Sequence, residues 1–390
     1  MNFQMYLPTR TLFGAGQLGN LHKQKLPGKK AMLIISNGKS MKVNGFLERT
    51  EEQLRMAGIE YAVFDRIQPN PLKSTVMKGA AFARENHCDF IVALGGGSVM
   101  DAAKAIAAMA ANSGDLWDYI SGGTGKGLPL ENAPLPLVAI TTTAGTGSEV
   151  DQWGVVTNDE THEKIGFGGI DELFPVLAIV DPELMLSVPP EYTAYQGFDA
   201  LFHSVEVYIS KYANLMSDMI ALTAIEHISK NLAEAVRNGS NLDAREKTAF
   251  GNTMSGYAMV MGSCTSEHSL EHAMSAFHQN LPHGAGLVII SKAYFTHFIE
   301  QHVCDDRFIR MAQAMGMENA SQPMDFITML SALQENCGVA NLKMSDYGIA
   351  PSEFETLSKN AMETMGGLFG SDRIPLSVAD CVAIYEKSYQ

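Results

Sequence analysis

The sequence has little of what marks secreted, nucleic-acid-binding or membrane proteins. Its 390 residues include only five cysteines, scattered and without a C-x-x-C motif, which is typical of reduced thiols and excludes a disulfide framework. Basic residues number 28 against 43 acidic ones, and no cluster of Lys and Arg occurs that a nucleic acid would require. No apolar run approaches the roughly 18 residues of a membrane span, and the N-terminus lacks a signal-peptide pattern. These absences predict a cytoplasmic protein with neither nucleic-acid nor membrane partners.

What the sequence does contain is a regular alternation of two periodicities in its first half. Hydrophobic residues make up 46% of the chain and charged residues 18%, as expected of a globular protein with a large core. Short apolar runs predict buried strands at 30–36, 59–64, 89–94, 135–141 and 176–180. Helical spacing predicts helices at about 46–57, 72–86 and 98–111. Strands that alternate with helices predict parallel βαβ units with right-handed crossovers.

The pattern changes after Val188-Pro189-Pro190, because helical spacing dominates from there to the end. Ser352-Glu-Phe-Glu355 predicts a capping box for a helix that ends near Gly366, and a terminal helix is expected at about 377–388. We therefore predict a dinucleotide-binding α/β domain over residues 1–188 and an all-helical, metal-binding domain over 189–390.

Two loops rich in small residues follow predicted strands. Gly95-Gly96-Gly97-Ser98 opens a helix, where glycines permit close approach and unpaired N–H groups suit a pyrophosphate. A plain glycine turn with Ser98 as the N-cap explains the same residues. The first βα turn, Asn37-Gly38-Lys39-Ser40, lacks the G-x-G-x-x-G fingerprint, so the phosphates of a nucleotide are expected at the third strand. The second loop, Thr142-Thr-Ala-Gly-Thr-Gly-Ser148, suits a polar ligand or an ordinary turn.

Histidines are concentrated in one short segment. Four of the eleven in the chain are His268, His272, His278 and His283. Upstream, Asp199 and His203 are one helical turn apart and project from the same face. One carboxylate with two or three imidazoles suits Zn²⁺ or Fe²⁺ better than Mg²⁺ or Ca²⁺. Hydrogen-bonded core or surface histidines are the alternative, and the clustering favours the metal site.

In this order, the motifs resemble the iron-containing (group III) alcohol dehydrogenases. The matching segments are Gly95-Gly-Gly-Ser-x-x-Asp101-x-x-Lys104, Thr142-Thr-Ala-Gly-Thr-Gly-Ser-Glu149, Ile179-Val-Asp-Pro-Glu183, Gly197-Phe-Asp-Ala-Leu-x-His203, the segment from His268 to His283, and Asp372-Arg-x-Pro375. The resemblance extends from about residue 10 to the end of the chain. It implies a Rossmann-like first domain with a parallel sheet and an all-α second domain, the architecture of dehydroquinate synthase, with a metal in the cleft between them.

The resemblance also implies the roles of individual residues. The metal ligands it implies are Asp199, His203, His268 and His283. His272 corresponds to a histidine beside the nicotinamide, and we predict that it relays a proton between alkoxide and solvent; spacing alone leaves it open as a further ligand. The predicted cofactor-binding residues are Asn37, Gly38, Lys39, Ser40, Asn70, Gly96, Gly97, Ser98, Asp101, Thr142, Thr143, Thr146 and Lys164. For Lys164, a surface lysine in a hairpin is the alternative.

The chain departs from the family pattern at three places. The segment from His268 to His283 is one residue longer, which alters the turn that holds His283. Thr141 stands where the family often has proline. Asp151 replaces a small polar residue near the nicotinamide, so a change in substrate or cofactor contacts is expected there.

The cofactor preference is predicted from the end of the first strand. Family members that prefer NAD often carry an aspartate there, which binds the ribose hydroxyls and repels a 2′-phosphate. This chain has Asn37-Gly38-Lys39-Ser40 instead, with no acid and one cation. We therefore predict that NADP(H) is preferred and that NAD(H) is accepted.

Together these features predict a metal-dependent oxidoreductase that interconverts an alcohol and an aldehyde or ketone, with NADPH-driven aldehyde reduction as the expected direction. Fe²⁺ is the expected ion and Zn²⁺ the alternative; the residues leave the substrate open. The family commonly dimerises through the N-terminal strand, here about Tyr6 to Phe13, so a homodimer or larger homo-oligomer is expected.

Three other functions compete with this interpretation. A zinc-dependent polyol dehydrogenase resembling glycerol dehydrogenase would act on vicinal diols. A lyase resembling dehydroquinate synthase is disfavoured, because that family needs basic side chains for a phosphorylated substrate and the segment from Cys264 to Gly286 has no Lys or Arg. A non-enzymatic metal- or nucleotide-binding module is disfavoured because one chain carries both sites.

Overall fold

The computed structural model describes residues 3–161 and 163–389. The chain forms two compact units: Leu7–Ser187 is the first, and Val188–Gln390 with Met1–Tyr6 is the second. The functional roles that we assigned to residues 1–188 and 189–390 stay predictions.

The first unit contains a parallel sheet with helical connections. Its strands are β1 (Arg10–Phe13), β2 (Lys30–Ser36), β3 (Glu60–Ile67), β4 (Phe90–Gly95), β5 (Leu137–Thr141), β6 (Trp153–Asn158), β7 (Glu163–Gly168) and β8 (Leu177–Val180). Its α-helices are α1 (Ser40–Val43), α2 (Phe46–Met56), α3 (Lys73–Glu85), α4 (Gly97–Ala111) and α5 (Leu116–Tyr119). The apolar runs of β4, β5 and β8 are buried along their whole length, as expected of strands covered on both faces.

Six strands lie in the order β1-β8-β5-β4-β2-β3, and each pairs with its neighbours in parallel. This confirms the predicted α/β architecture with a parallel sheet. From β2 the chain passes to β3 on one side and then to β4 on the other, so the strand order reverses between β2 and β4. Ligands of such sheets bind beyond the carboxyl ends of the strands at this reversal.

The antiparallel hairpin β6–β7 was absent from the predicted strands. Its two strands include three glycines and several polar residues, so they lack the uninterrupted apolar runs by which the sheet strands were recognised. Leu72 forms an isolated parallel bridge to Thr157, which attaches the hairpin to the start of α3.

The second unit is helical throughout the residues that the structure describes, which confirms the prediction for this half. Its α-helices are α6 (Pro190–Ile209), α7 (Leu215–Arg237), α8 (Leu242–Met261), α9 (Ser266–Phe277), α10 (His283–Glu300), α11 (Asp305–Ala314), α12 (Asp325–Asn336), α13 (Phe354–Phe369) and α14 (Val378–Ser388). Large apolar side chains of α6, α10 and α11 meet in one core, with Phe202, Phe295 and Phe308 fully buried.

The predicted capping box at Ser352 is wrong. Helix α13 begins at Phe354, and its N-cap, Glu353, makes no side-chain capping bond. Glu353 instead accepts a hydrogen bond from the Ala350 N–H at 2.8 Å, one turn earlier. The predicted end near Gly366 agrees with a kink at Met365, whose φ of −126° and ψ of 32° are not helical, although a further turn extends to Phe369. A capping box does occur at Ser377 and Asp380, at the start of α14.

Among the described residues, no helix combines the length and apolar character needed to span a bilayer.

Candidate functional site

Helix α6 carries two of the predicted metal ligands. Asp199 and His203 lie one turn apart in its buried middle and are 4% and 7% exposed. Gly197 allows α6 to approach α7 closely, since a Cβ there would lie 2.2 Å from Leu232 Cδ1. The packing of α6 therefore fixes the two polar side chains inside an apolar core.

Helices α9 and α10 supply the other two predicted ligands. His268 lies in the first turn of α9, and His283 is the first residue of α10. Gly284 brings the start of α10 against α6, because a Cβ at that position would lie 2.1 Å from the Tyr195 carbonyl oxygen. Three helices thus direct their ligands to one point.

Three imidazoles approach one carboxylate oxygen, Asp199 Oδ1. Asp199 Oδ1 lies 3.6 Å from His203 Nδ1, 3.5 Å from His268 Nε2 and 3.5 Å from His283 Nε2. Ligands about 2.1 Å from a tetrahedral ion are about 3.4 Å from one another, so these separations fit a metal. Asp199 Oδ1 and His268 Nε2 are buried and have no hydrogen-bond partner among the described residues, which a metal ion would supply.

Two buried glutamates orient the imidazoles. His268 Nδ1 donates to Glu206 Oε1, and His283 Nδ1 donates to Glu271 Oε2. Both glutamates are 0% exposed. A hydrogen bond from Nδ1 to a carboxylate leaves the Nε2 lone pair available, which is the usual arrangement around a metal-bound histidine.

The electrostatics of this cluster also favour a bound cation. Burial by itself raises the pKa of Asp199, but the neighbouring charges of His203 and His283 outweigh burial and hold that pKa well below its usual value. Burial opposes the charged form of His268, yet Glu206 and Asp199 raise its pKa well above the usual value. Burial and the charge of Glu206 raise the pKa of Glu267 well above its usual range. Without a metal, charged imidazoles compensate the buried carboxylate of Asp199, and a divalent cation bound there would take over that compensation.

His272 lies beside the cluster rather than on Asp199. Its ring centroid is 5.1 Å from that of His283 and 6.2 Å from that of His268. Its donor atom groups with those of Glu271 and His283. The group that contains Asp199 holds His268 and His283, and His203 groups with Cys264 and His268. The fourth histidine of the segment, His278, is directed elsewhere and contacts Glu353 at 3.1 Å.

In the first unit, the two predicted small-residue loops lie against each other. A Cβ on Gly96 would lie 2.8 Å from Thr143 Oγ1, and one on Gly97 would lie 2.3 Å from Thr146 Cγ2. The glycines are therefore required by packing as well as by any ligand. Helix α4 begins at Gly97 with Gly96 as its N-cap and has no side-chain capping bond, so Ser98 is not the N-cap. Its N-terminal N–H groups remain suited to a phosphate.

The remaining loop residues lie at the same edge of the sheet. Asn37, Gly38, Lys39 and Ser40 follow β2 and are exposed. Asn70 follows β3 with a φ of 51°, a left-handed conformation that asparagine tolerates. Thr142 follows β5, is buried, and donates its N–H to the Gly95 carbonyl at 3.0 Å. Since carboxyl ends of parallel strands share one edge, the loops flank the reversal between β2 and β4.

Three other residues of the first unit have structural partners. Asp101 accepts hydrogen bonds from Ser148 Oγ at 2.9 Å and from the Val155 N–H at 3.1 Å, and burial raises its pKa to about 6. Asp151 accepts a bond from the fully buried Lys104 at 2.8 Å, which accounts for the departure at this position without a ligand. Lys164 lies in β7 but is only 4% exposed, so the surface-lysine alternative is wrong.

Comparisons with known proteins identify the family of this chain. The family model described as iron-containing alcohol dehydrogenase matches residues 8–182, and the model of the C-terminal part of the Fe-containing alcohol dehydrogenase family matches residues 193–389. The chain belongs to the iron-containing alcohol dehydrogenases. This assignment confirms the resemblance found in the sequence and shows that the protein is an alcohol oxidoreductase of a family that contains iron and uses NAD(H).

Relatives of this alcohol dehydrogenase match it over almost its whole length. It is 35% identical to 1,3-propanediol dehydrogenase of Klebsiella pneumoniae, with 96% of each chain covered. It is 32% identical to the NAD-dependent methanol dehydrogenase of Bacillus methanolicus, which covers 92% of this chain and 93% of that one. A solved archaeal alcohol dehydrogenase from a Red Sea brine pool superposes with a TM-score of 0.94 at 32% identity, covering 100% of this chain and 99% of that one.

The sequence analysis missed three residues of the candidate metal cluster, which are Glu206, Glu271 and Cys264. Glu206 and Glu271 each lie three residues after a histidine of their own helix, a spacing that places both side chains on one face. That spacing was the available signal. Cys264 has no such signal, because it lies in the loop before α9, yet a donor-atom distance of at most 4.8 Å separates its sulfur from both His203 and His268.

Proposed function

We propose that this protein reduces a small aldehyde with NADPH at an Fe²⁺ centre held by Asp199, His203, His268 and His283. The observation that supports the proposal is the convergence of three imidazoles on Asp199 Oδ1, with separations of 3.5–3.6 Å. Relatives include a 1,3-propanediol dehydrogenase and a methanol dehydrogenase, which supports a short primary alcohol as the product.

The side chains of the centre bind, orient and hold charge. A bound divalent ion supplies Lewis acidity that polarises a carbonyl oxygen, an effect worth several kcal/mol. The reduced nicotinamide supplies the hydride. Asp199 contributes negative charge to the ion, and Glu206 and Glu271 keep the Nε2 atoms of their histidines directed at Asp199.

His272 is proposed to move the proton. It is 5% exposed and lies next to the ligand His283, and histidine is the side chain whose ordinary pKa lies closest to neutrality. Replacing His272 with Ala is expected to lower turnover by about 10²-fold and to change the pH profile. An unchanged turnover at every pH would remove this role.

A metal analysis tests the centre itself. Protein purified without oxygen is expected to contain about one iron per chain, and metal-free protein is expected to recover aldehyde reduction with Fe²⁺. Recovery with Zn²⁺ alone, together with strong activity on vicinal diols, would instead support a zinc-dependent polyol dehydrogenase.

The proposed preference for NADP(H) rests on charges at the end of β2. Lys39 is exposed and makes no ion pair among the described residues. Lys42 lies five residues after Asn37 and pairs with Asp65 at 2.6 Å, so its charge is already compensated. A 2′-phosphate thus meets one uncompensated cation and no carboxylate among residues 37–40.

Matched lysine variants test this preference. Lys39→Ala is expected to lower kcat/KM for NADPH about tenfold, because one charge-assisted contact is lost, and to leave the value for NADH unchanged. Lys42→Ala is the control and is expected to change neither. Asn37→Asp is expected to reverse the preference toward NADH. A wild-type kcat/KM for NADH well above that for NADPH would contradict the proposal.

We further infer a homodimer formed through the N-terminal strand. Strand β1 lies at an edge of the sheet and pairs only with β8 within the described chain. Phe3, Met5 and Tyr6, which precede β1, are each about half exposed, with values of 48%, 51% and 48%. An edge strand next to exposed apolar side chains is a common site of association. Sedimentation at micromolar concentration, compared with a variant that lacks residues 1–6, tests this inference.

A further inference from the structure

The carboxylate of Glu206 is held from the side opposite to His268. Glu206 Oε1 accepts from His268 Nδ1, while Oε2 accepts from the Thr265 N–H at 2.7 Å and from the Thr265 hydroxyl at 2.9 Å. Three donors therefore fix both oxygens of one carboxylate. Both glutamates reach their histidines from another helix, Glu271 from α9 to α10 and Glu206 from α6 to α9. Glu206 is also bonded to Thr265, the residue directly before α9.

The Thr265 hydroxyl is in turn held by a tyrosine. A hydroxyl has one proton, and that of Thr265 goes to Glu206, so its oxygen is an acceptor for the Tyr294 hydroxyl at 2.9 Å. The single Tyr294 proton is shared between Thr265 Oγ1 and Asp372 Oδ1, which lies 3.2 Å away, and Ser266 Oγ lies 3.1 Å from the same hydroxyl. Asp372 Oδ1 also accepts the Ser266 N–H at 3.1 Å. The hydrogen bonds thus run from Tyr294 through Thr265 and Glu206 to His268.

We propose that Tyr294 and Thr265 are positioning residues for the metal centre, which act by holding Glu206 against His268. This inference rests on the proposed metal centre and deepens it. Tyr294 lies on α10, the helix whose first residue is the ligand His283, so one helix supplies a ligand at its start and anchors the partner of another ligand further along.

The hydrogen bonds that hold Glu206 are buried. Glu206 and Tyr294 are 0% exposed and Thr265 is 1% exposed, so water cannot easily replace a lost donor. With fewer donors, the Glu206 carboxylate has more freedom to rotate, and His268 is held less firmly in the orientation that binds a metal. Loss of partners behind a metal ligand typically weakens metal affinity by about 10–100-fold.

Metal affinity, measured by competition with a chelator, tests the proposal without reference to turnover. Metal-free full-length protein is titrated with Co²⁺, whose visible spectrum also reports the ligand geometry. Thr265→Val is expected to weaken Co²⁺ binding about tenfold, since it removes a donor to Glu206. Tyr294→Phe is expected to weaken it about threefold, since it acts one bond further away. Both variants are expected to change the Co²⁺ spectrum. Thr265→Ser keeps the hydroxyl, so it is expected to show the wild-type Co²⁺ affinity and spectrum.

The chain provides a matched control for Tyr294. Tyr385 is also fully buried, and its hydroxyl donates to the Leu270 carbonyl of α9 at 2.7 Å, but it has no link to Glu206 in the hydrogen bonds described above. Tyr385→Phe is expected to leave affinity and spectrum unchanged, even where it lowers the melting temperature. If Tyr294→Phe, Thr265→Val and Tyr385→Phe bind Co²⁺ with equal affinity, the positioning role of Tyr294 and Thr265 is wrong, and the proposed metal centre is unaffected. A wild-type protein that binds no Co²⁺ would overturn the metal centre and this inference with it.

Discussion

The two proposed binding regions are built in different ways. The loops at the carboxyl edge of the sheet in the first unit consist mainly of glycines, hydroxyls and a helix N-terminus, and residues 37–40 are exposed. The cluster in the second unit consists of ionisable side chains that are mostly buried, with Asp199 4% and His268 4% exposed. A dinucleotide is large and polar and suits backbone N–H groups at an open edge. A metal ion is small and suits charged groups held apart from water.

The largest expected effect is the loss of one ligand from the buried cluster. His203→Ala is expected to lower metal affinity and turnover by about 10³-fold or more, because the ion loses one of its four proposed ligands. Metal content after dialysis and the rate of aldehyde reduction measure this effect. His278→Ala is the control from the same histidine-rich segment, and it is expected to retain the metal. Equal losses in the two variants would show that the cluster does not bind the ion.

A smaller effect is expected from one added methyl group in the first unit. Gly97→Ala places a Cβ where Thr146 Cγ2 would be 2.3 Å away, so the start of α4 has to shift. The KM for the dinucleotide is expected to rise by about 10–100-fold, a range typical of a misplaced binding group, while metal affinity stays unchanged.

The control for this variant is Gly19→Ala, since a Cβ at Gly19 has no heavy atom within 4 Å. The comparison between the two regions would fail if Gly97→Ala also released the metal. If the double variant Gly97→Ala/Thr146→Ala has a KM closer to that of wild type, the contact between these two residues is the cause of the effect.

The smallest expected effect concerns a buried charge near the metal cluster. Burial raises the pKa of Asp372 to about 7, and one of its oxygens is buried without a hydrogen-bond partner in the described chain. The folded-state pKa lies above the unfolded value, so the folded state binds the proton more tightly, and ionisation lowers stability as the pH rises from about 4 to 7. The melting temperature of the metal-free Asp372→Asn variant is therefore expected to lie a few degrees above that of metal-free wild type at about pH 8. At about pH 4 the two melting temperatures are expected to be equal. Calorimetry at both pH values measures the difference, and a constant gap would contradict the assignment to this carboxyl.

Much of the fold followed from local patterns. The apolar runs that became β2, β4, β5 and β8 were recognisable because strands covered on both faces need continuous hydrophobic residues. Hairpin β6–β7 was not recognisable in this way, since its position depends on bonds such as that from the Val155 N–H to Asp101, which is distant in the sequence. The Ser352 capping box failed because α13 begins later, at Phe354, and Glu355, which was expected to close the box, accepts from Lys359 at 2.7 Å.

The sequence by itself determined the kinds of chemistry available, because residue type fixes which atoms can bind a metal or a phosphate and helical spacing fixes which neighbours share a face. It thereby identified the histidines, Asp199 and the glycine loops. Only the tertiary structure decided that Glu206 orients His268 and that Thr265 and Tyr294 hold Glu206. These contacts join helices far apart in the chain, and their distances depend on how the cores pack rather than on any local pattern.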